Sequence, residues 1–192
     1  MTTCLERNAQ RRFDASAKSE DDPAIRAAAD LARAHRIWLH LGSAAFASEG
    51  LKIFNRALVF SPEGQIAARY DKIHLFDVDL GAEKYRESDY IEWGKRAVIA
   101  DLGGPKLGLS ICYDVRFAAL YRRLAQAGAE ILAVPAAFTR PTGEAHWEVL
   151  LRARAIETGS FVIAAAQGGA HEDGRSTWGH SMIIDPWGKI LA

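Results

Sequence analysis

The chain has 192 residues, 49% of them hydrophobic, and its 24 Lys and Arg residues balance its 24 Asp and Glu residues. This hydrophobic share is enough for a sizeable core, and we predict a single domain over residues 1–192. A formal net charge of zero argues against a nucleic-acid-binding or membrane-surface protein, so small neutral or weakly charged molecules are the expected ligands.

The cysteines and the chain ends bear on the compartment. Cys4 and Cys112 are too far apart in sequence to indicate a disulfide framework or a metal site. The polar first residues lack a secretory signal, and no run reaches the ~18 apolar residues that a membrane span needs. We therefore expect a cytoplasmic protein.

We also expect the chain to be incomplete at both ends, since no strand precedes the polar start and residues 190–192 lie within a predicted strand.

The first predicted elements are a helix and two strands. Asp22 and Pro23 are a typical N-cap and first-turn pair, and good helix formers follow as far as His35. Residues 37–46 and 53–60 are rich in β-branched and aromatic residues, which predicts strands.

A turn and a loop follow. Residues 61–64, with the sequence Ser-Pro-Glu-Gly, predict a turn into a further strand that starts at Gln65. Between Leu75 and Trp93 the periodicity fails, which indicates a long ordered loop of the kind that surrounds binding sites.

The second half of the chain alternates strands and helices. Strands are predicted over 96–102, 106–112, 130–138 and 160–167, helices over 117–129 and 144–159, and a hairpin over 177–192. Because hairpins occur together with strand-helix-strand units, we predict an α/β layered sandwich rather than a purely parallel, doubly wound sheet.

Cys112 is the first candidate for chemistry. It closes a predicted strand and precedes a polar turn and a helix, which places it at the carboxyl edge of a sheet, where catalytic groups collect. Backbone N–H groups and a helix N-terminus can activate a thiol there. The alternative is a buried cysteine that acts only as a small hydrophobe.

Lys72 is the second candidate, because a thiolate nucleophile needs a positive group to stabilise the oxyanion that it creates. It ends a predicted strand and is followed by apolar residues. A partly buried lysine would need a carboxylate partner, and Glu83 and Glu87 are both available. The alternative is an ordinary surface charge at a strand end.

Three histidines could in principle serve a cysteine-histidine pair. No spacing singles out His74, His146 or His180. We expect His146 to have a core or capping role on its helix, and His180 to be a buried residue in the middle of a strand.

Four segments together resemble the nitrilase superfamily of carbon-nitrogen hydrolases, and in particular its Nit-type branch. They are RYDKIHLFD, YRES, LSICYDVRF and PAAFTRPTGEAHWEVLLRARAIETGSFVIAAAQ, in that order along nearly the whole chain. The resemblance implies an α-β-β-α sandwich, incomplete at both termini here, that forms a homodimer in its full-length form. It also implies hydrolysis of a small-molecule amide with no metal and no other cofactor.

The resemblance implies a role for individual residues. Cys112 would be the nucleophile, Lys72 the cation that stabilises the tetrahedral intermediate, and Glu87 the carboxylate that supports the lysine. Tyr113 would contribute its backbone N–H to the oxyanion hole. Relatives that cleave nitriles tend to have Trp-Glu after the cysteine, so Tyr113 followed by Asp114 favours an amide substrate.

Arg116, Phe138 and Thr139 are candidate substrate-binding residues. An arginine would suit a substrate that carries a carboxylate. The alternative for Arg116 is a structural pair with Asp114 or Glu148. Glu148 and Arg152 are four residues apart on the predicted helix, and an intrahelical ion pair is a sufficient explanation for both.

The family's general-base glutamate is not found where the resemblance places it, in a Pro-Glu strand end before the first long helix. The Pro62-Glu63 pair lies in a predicted hairpin turn instead, and Glu6 does not match the motif. One rival hypothesis is therefore an inactive homologue that acts as a binding or assembly piece. Another is a redox-sensing thiol protein, which leaves Lys72 unexplained.

Overall fold

The computed structural model describes residues 8–79, 81, 84–171 and 174–192. The chain divides into two compact units, residues 1–96 and 97–192. Cys4, Glu6 and Glu83 lie outside the described residues. In the described part of the chain, no helix is both long and apolar enough to cross a membrane.

The described residues of the first unit form two helices, six strands and a short 3-10 helix. These are α1 (Ala9–Asp14), α2 (Pro23–His35), β1 (Leu39–Ala47), β2 (Ile53–Phe60), β3 (Ile66–Asp71), β4 (Asp77–Asp79), β5 (Lys84–Arg86), the 3-10 helix Glu87–Asp89, and β6 (Ile91–Glu92). β1, β2 and β3 form an antiparallel meander, and β6 pairs in parallel with the start of β2. The predicted helix and all three long strands of this half are confirmed.

Helix α2 covers one face of this sheet. Its N-cap is Asp22, whose side chain accepts a hydrogen bond from the N–H of Ala24 at 2.9 Å. A buried cluster joins the apolar stripe of α2 to alternate residues of β1 and β2, consisting of Ala17, Ile25, Ala28, Ala32, Ala44, Phe46, Leu58 and Phe60. Because side chains alternate along a strand, the intervening residues of β1 and β2 point to the face of the sheet opposite α2.

The described residues of the second unit form a five-stranded sheet, two helices and a short hairpin. The elements are β7 (Ile99–Asp101), β8 (Lys106–Leu109), the 3-10 helix Cys112–Arg116, α3 (Ala118–Gln126), β9 (Ile131–Ala133), α4 (Arg140–Thr158), β10 (Phe161–Ala164), β11 (Gly168–Ala170), β12 (Ser176–Trp178) and β13 (Met182–Ile184). The sheet order is β13-β10-β9-β8-β7, and its three central strands are parallel. The carboxyl ends of β8, β9 and β10 therefore share one edge.

Two local predictions are corrected. The segment predicted as a loop between Leu75 and Trp93 contains the β4–β5 hairpin, the 3-10 helix and β6. The last helix begins at Arg140 rather than Glu144, since proline is tolerated in a first helical turn. Within this helix, position 143 requires glycine, because a Cβ there would lie 2.3 Å from the Trp178 Cβ.

Gly94 allows the chain to pass against the end of β3, and this contact leads to a testable prediction. A Cβ at Gly94 would lie 1.9 Å from the Asp71 carbonyl oxygen. We expect Gly94→Ala to destabilise the protein by about 3 kcal/mol, since the backbone would have to shift. The measurement is the midpoint of urea unfolding, with Gly104→Ala as control, because a Cβ at Gly104 meets no heavy atom within 4 Å. Equal midpoints for the two variants would contradict the prediction.

Candidate active site

Lys72 lies directly after β3 and extends the pairing of β3 with β2 by one residue. Its N–H donates to the Asn55 carbonyl at 2.9 Å, and its carbonyl accepts from the Gly94 N–H at 2.8 Å. By the alternation of the strand, its side chain shares the face of Tyr70, opposite the α2 side. Only 1% of Lys72 is accessible to solvent. The interpretation of Lys72 as an exposed surface charge is therefore wrong.

Glu87 is the carboxylate partner of Lys72. The β4–β5 hairpin pairs Asp77 with Arg86, and this returns the chain so that Glu87 lies beside Phe76. Glu87 Oε2 accepts from Lys72 Nζ at 2.5 Å and from the Phe76 N–H at 2.8 Å. The backbone donor orients the carboxylate toward the ammonium. In such a buried pair, removal of either partner leaves the other charge poorly compensated.

Cys112 lies in the second unit, at the edge where the parallel strands end. The strand stops at Leu109, and Cys112 opens the 3-10 helix with a φ of +51°. A non-glycine residue held in this left-handed region costs about 1–3 kcal/mol and persists only where the surroundings enforce it. Cys112 is partly exposed. A strained, partly exposed thiol at a sheet edge is typical of a nucleophile position.

Two hydrogen bonds hold the start of this turn. The Cys112 N–H donates to the Pro135 carbonyl at 2.9 Å, which ties the turn to the chain just past β9. The Ile111 N–H donates to Asp114 Oδ2 at 2.9 Å. The Asp114 side chain is inaccessible to solvent, so its carboxylate serves the turn itself.

A buried hydroxyl pair fixes the strand just before the turn. The Ser110 hydroxyl donates its single hydrogen to the Ala133 carbonyl at 2.7 Å, so the Tyr121 hydroxyl must be the donor across the 2.7 Å to Ser110 Oγ. Complete burial raises the pKa of Tyr121 well above its ordinary value, and Tyr121 therefore remains a donor.

Arg154, on α4, was not singled out from the sequence. Its side chain is buried, and its Nε donates to the Val115 carbonyl at 2.8 Å, near the end of the 3-10 helix. Its Nη1 donates to Glu157 Oε1 at 2.6 Å, and its guanidinium lies 5.4 Å from the Tyr121 ring centroid. The only sequence signal for a buried, hydrogen-bonded arginine here is a glutamate three residues later, a spacing that also occurs on many exposed helices.

Arg116 lies just beyond the cysteine and meets other predicted site residues. Its guanidinium carbon lies 5.7 Å from the Tyr113 ring centroid and 5.6 Å from the Phe138 ring centroid. Its Nη2 is 3.2 Å from His146 Nδ1, which must accept because arginine only donates.

The structural alternative for Arg116 is not observed in the described residues. Its hydrogen-bond partner is His146 rather than Asp114 or Glu148. Glu148 instead pairs with Arg152 at 3.2 Å, which confirms the intrahelical ion pair indicated by their spacing.

Phe138 and Thr139 lead into α4 and are both mostly buried. The Phe138 ring packs against Trp147 with 4.8 Å between centroids. Thr139 Oγ1 lies 2.7 Å from Thr142 Oγ1. Their side chains thus contribute to packing at the start of the helix, and their role toward a substrate stays a prediction.

His180 is not where the sequence predicted it. It lies between β12 and β13 with a φ of +60°, and its exposed ring stacks on Trp178 with 4.1 Å between centroids. The prediction of a buried, mid-strand histidine is therefore wrong, because Gly179 and His180 both have a positive φ and separate β12 from β13.

The two units carry separate parts of the predicted site. The first brings Lys72 and Glu87 together, and the second brings Tyr113, Arg116 and Phe138 together. Among the described residues, no group of three or more His, Cys, Asp or Glu side chains is arranged to hold a metal ion.

Comparison with known proteins identifies several relatives. The chain is 47% identical over 175 residues to a deaminated glutathione amidase of Yersinia enterocolitica, an alignment that covers 89% of this chain and 61% of the relative. The chain thus spans less than two thirds of that relative's length.

Solved structures agree with this relationship. The NitFhit protein of C. elegans matches with a TM-score of 0.87 and 41% identity, over 97% of this chain and 46% of the other. A mutant of the amidase from Nesterenkonia sp. AN1, solved with acrylamide added to its active-site cysteine, matches with a TM-score of 0.78 and 26% identity, over 96% and 69%.

These likenesses confirm the family and the α/β fold class that the four sequence segments predicted. The profile of the carbon-nitrogen hydrolase family matches residues 5–192. The chain therefore belongs to the carbon-nitrogen hydrolase family.

Proposed function

We propose that this chain carries the nucleophile and the oxyanion-stabilising lysine of an amidase that hydrolyses small linear amides to a carboxylate and ammonia. The observation that carries the proposal is the Cys112 turn, in which a partly exposed thiol is held at φ +51° at the carboxyl edge of a parallel sheet. The buried Lys72–Glu87 pair supports it, since a lysine this inaccessible has no role as a surface charge.

In the proposed acylation, a general base takes the proton from Cys112 Sγ, and the thiolate attacks the amide carbonyl carbon. A C–S bond forms and the carbonyl oxygen becomes an oxyanion. Lys72 and the Tyr113 N–H stabilise that charge. The intermediate collapses, the C–N bond breaks, and the proton held by the base leaves with the nitrogen as ammonia.

In the proposed deacylation, the same base takes a proton from water, and the resulting hydroxide attacks the thioester carbonyl. The C–S bond breaks, the acid is released, and the proton returns to the Cys112 thiolate. No residue of the 192 is assigned as the base. The family pattern places it on a glutamate that ends a Pro-Glu strand.

For the substrate class, we propose a linear amide with a carboxylate remote from the reacting carbonyl, of the deaminated glutathione type that names the relatives. Arg116 is the proposed carboxylate-binding residue, since its guanidinium is held between two aromatic rings. Phe138 and Thr139 are proposed to border the same pocket. The family resemblance adds a homodimer, and the two widely spaced cysteines support a cytoplasmic location.

The test is ammonia release from deaminated glutathione and from glutaramate. Two proteins are compared: the 192-residue chain, and an extended chain in which these residues follow an N-terminal segment designed to end in the Pro-Glu strand of the family pattern. We expect the extended chain to release ammonia, and the 192-residue chain to do so at least about 10³-fold more slowly.

Two results would change the assignment. An extended chain that stays folded but releases no ammonia from either amide would support the inactive binding or assembly piece. Reversible oxidation of Cys112 by hydrogen peroxide, without amidase activity, would support the redox-sensing thiol instead.

A further inference from the structure

The Cys112 turn needs support at both of its ends. The Ile111–Asp114 and Cys112–Pro135 hydrogen bonds hold its start. At the far end, the Phe117 N–H donates to the Asp114 carbonyl at 2.9 Å, which leaves the adjacent Val115 carbonyl to a partner outside the turn. If that end moved, Cys112 could leave the left-handed region, and the change in φ would re-aim its Cα–Cβ bond and its sulfur.

Arg154 is placed to hold this far end. Its Nε–H donates to the Val115 carbonyl at 2.8 Å from a helix that packs beneath the turn. The guanidinium is oriented on two further sides, by Glu157 through Nη1 and by the ring of Tyr121. Tyr121 is itself bonded to Ser110, two residues before the cysteine.

We propose that Arg154 is a positioning residue for Cys112, which acts by fixing the Val115 carbonyl and so keeps the thiol in its left-handed conformation. The inference rests on the proposed function only in naming Cys112 as the nucleophile. This role requires arginine rather than lysine, because the planar guanidinium donates to Val115 and Glu157 at once while its central carbon lies 5.4 Å from the Tyr121 ring centroid. A lysine ammonium keeps the charge but has no equivalent of Nε.

The chain offers a matched control in Arg152, two residues away on the same helix. It also donates its Nε to a backbone carbonyl, that of Gly188 at 2.9 Å, and its Nη1 pairs with Glu148. Arg152 therefore makes the same kinds of hydrogen bond as Arg154, with a more accessible side chain (48% against 7%), and in the described part of the chain none of these bonds reaches the Cys112 turn. Arg154→Lys therefore removes a hydrogen bond to the Cys112 turn, whereas Arg152→Lys removes a hydrogen bond elsewhere.

The main experiment measures the rate at which iodoacetamide labels Cys112 in the 192-residue chain, followed on the peptide that contains this residue. We expect Arg154→Lys to slow labelling about tenfold and Arg152→Lys to leave it within about twofold. In the extended chain, Arg154→Lys should lower kcat about 30-fold and change KM less than threefold, because positioning acts on the reacting atoms.

Several outcomes would overturn the inference. Labelling of Arg154→Lys at the unaltered rate would do so, as would equal slowing in both arginine variants. If Arg154→Lys does not fold by circular dichroism, Glu157→Gln decides, since it weakens the orientation of the arginine and should slow labelling about threefold. An extended chain that releases no ammonia contradicts the proposed function, whereas the labelling comparison still decides the role of Arg154.

Discussion

Replacing Cys112 by alanine is expected to reduce ammonia release by the extended chain at least about 10³-fold, to the uncatalysed background. The thiolate is the atom that forms the thioester, and no other group at the turn can take its place. The side chain is small and partly exposed, so its loss should leave the fold intact. The measurement is steady-state ammonia release, with circular dichroism and the urea midpoint to establish an unchanged fold.

Cys112→Ser and Cys4→Ala are the controls for this prediction. Serine keeps the shape of the turn but is a far weaker nucleophile at neutral pH, so it should be nearly as inactive as alanine. Cys4→Ala should retain full activity and should still be labelled by iodoacetamide at Cys112. If Cys4→Ala loses activity while Cys112→Ala keeps it, the nucleophile has been assigned to the wrong cysteine.

The second large effect is expected for Lys72→Met, which replaces the buried ammonium by an apolar group of similar length. Removal of one oxyanion-stabilising group costs about 10²–10³ in kcat. We expect that loss in the extended chain, with a smaller change in KM, because the charge on the substrate oxygen develops only in the transition state. The measurement is the dependence of ammonia release on amide concentration.

A loss of stability must be separated from this loss of catalysis. Removing one partner of a buried ion pair can cost 3–5 kcal/mol. The Glu87 side chain remains 17% accessible and keeps its bond from the Phe76 N–H, so we expect about 2 kcal/mol instead. Ammonia release is therefore measured at urea concentrations well below the midpoint of unfolding, where the variant is folded.

Lys52→Met is the matched control for Lys72→Met. Lys52 lies in the same unit, and its Nζ donates to the Ser88 carbonyl, next to Glu87, at 3.2 Å. We expect its replacement to change kcat less than threefold. If Lys72→Met keeps its kcat, or if both variants lose it equally, Lys72 is not the oxyanion-stabilising group.

Local sequence pattern was sufficient for most of the secondary structure. Asp22 and Pro23 begin α2 because capping and first-turn preferences act within a few residues. β1, β2 and β3 follow the predicted strands because β-branched and aromatic content, and the turn residues before β3, are properties of consecutive residues. Prediction was wrong at Arg140, where the helix packs against Trp178 at Gly143, and at His180, where two consecutive residues with positive φ interrupt the strand.

By itself, the sequence determined that Cys112 ends a strand before a polar turn, and four matching segments indicated the family and the importance of Lys72. These are features of residues close together in the chain. Only the tertiary structure decided that Lys72 is almost inaccessible to solvent, that Cys112 has a positive φ, and that Arg154 is hydrogen-bonded to the end of the Cys112 turn. Each of these depends on contacts between residues 15 to 39 positions apart, which no local spacing rule encodes.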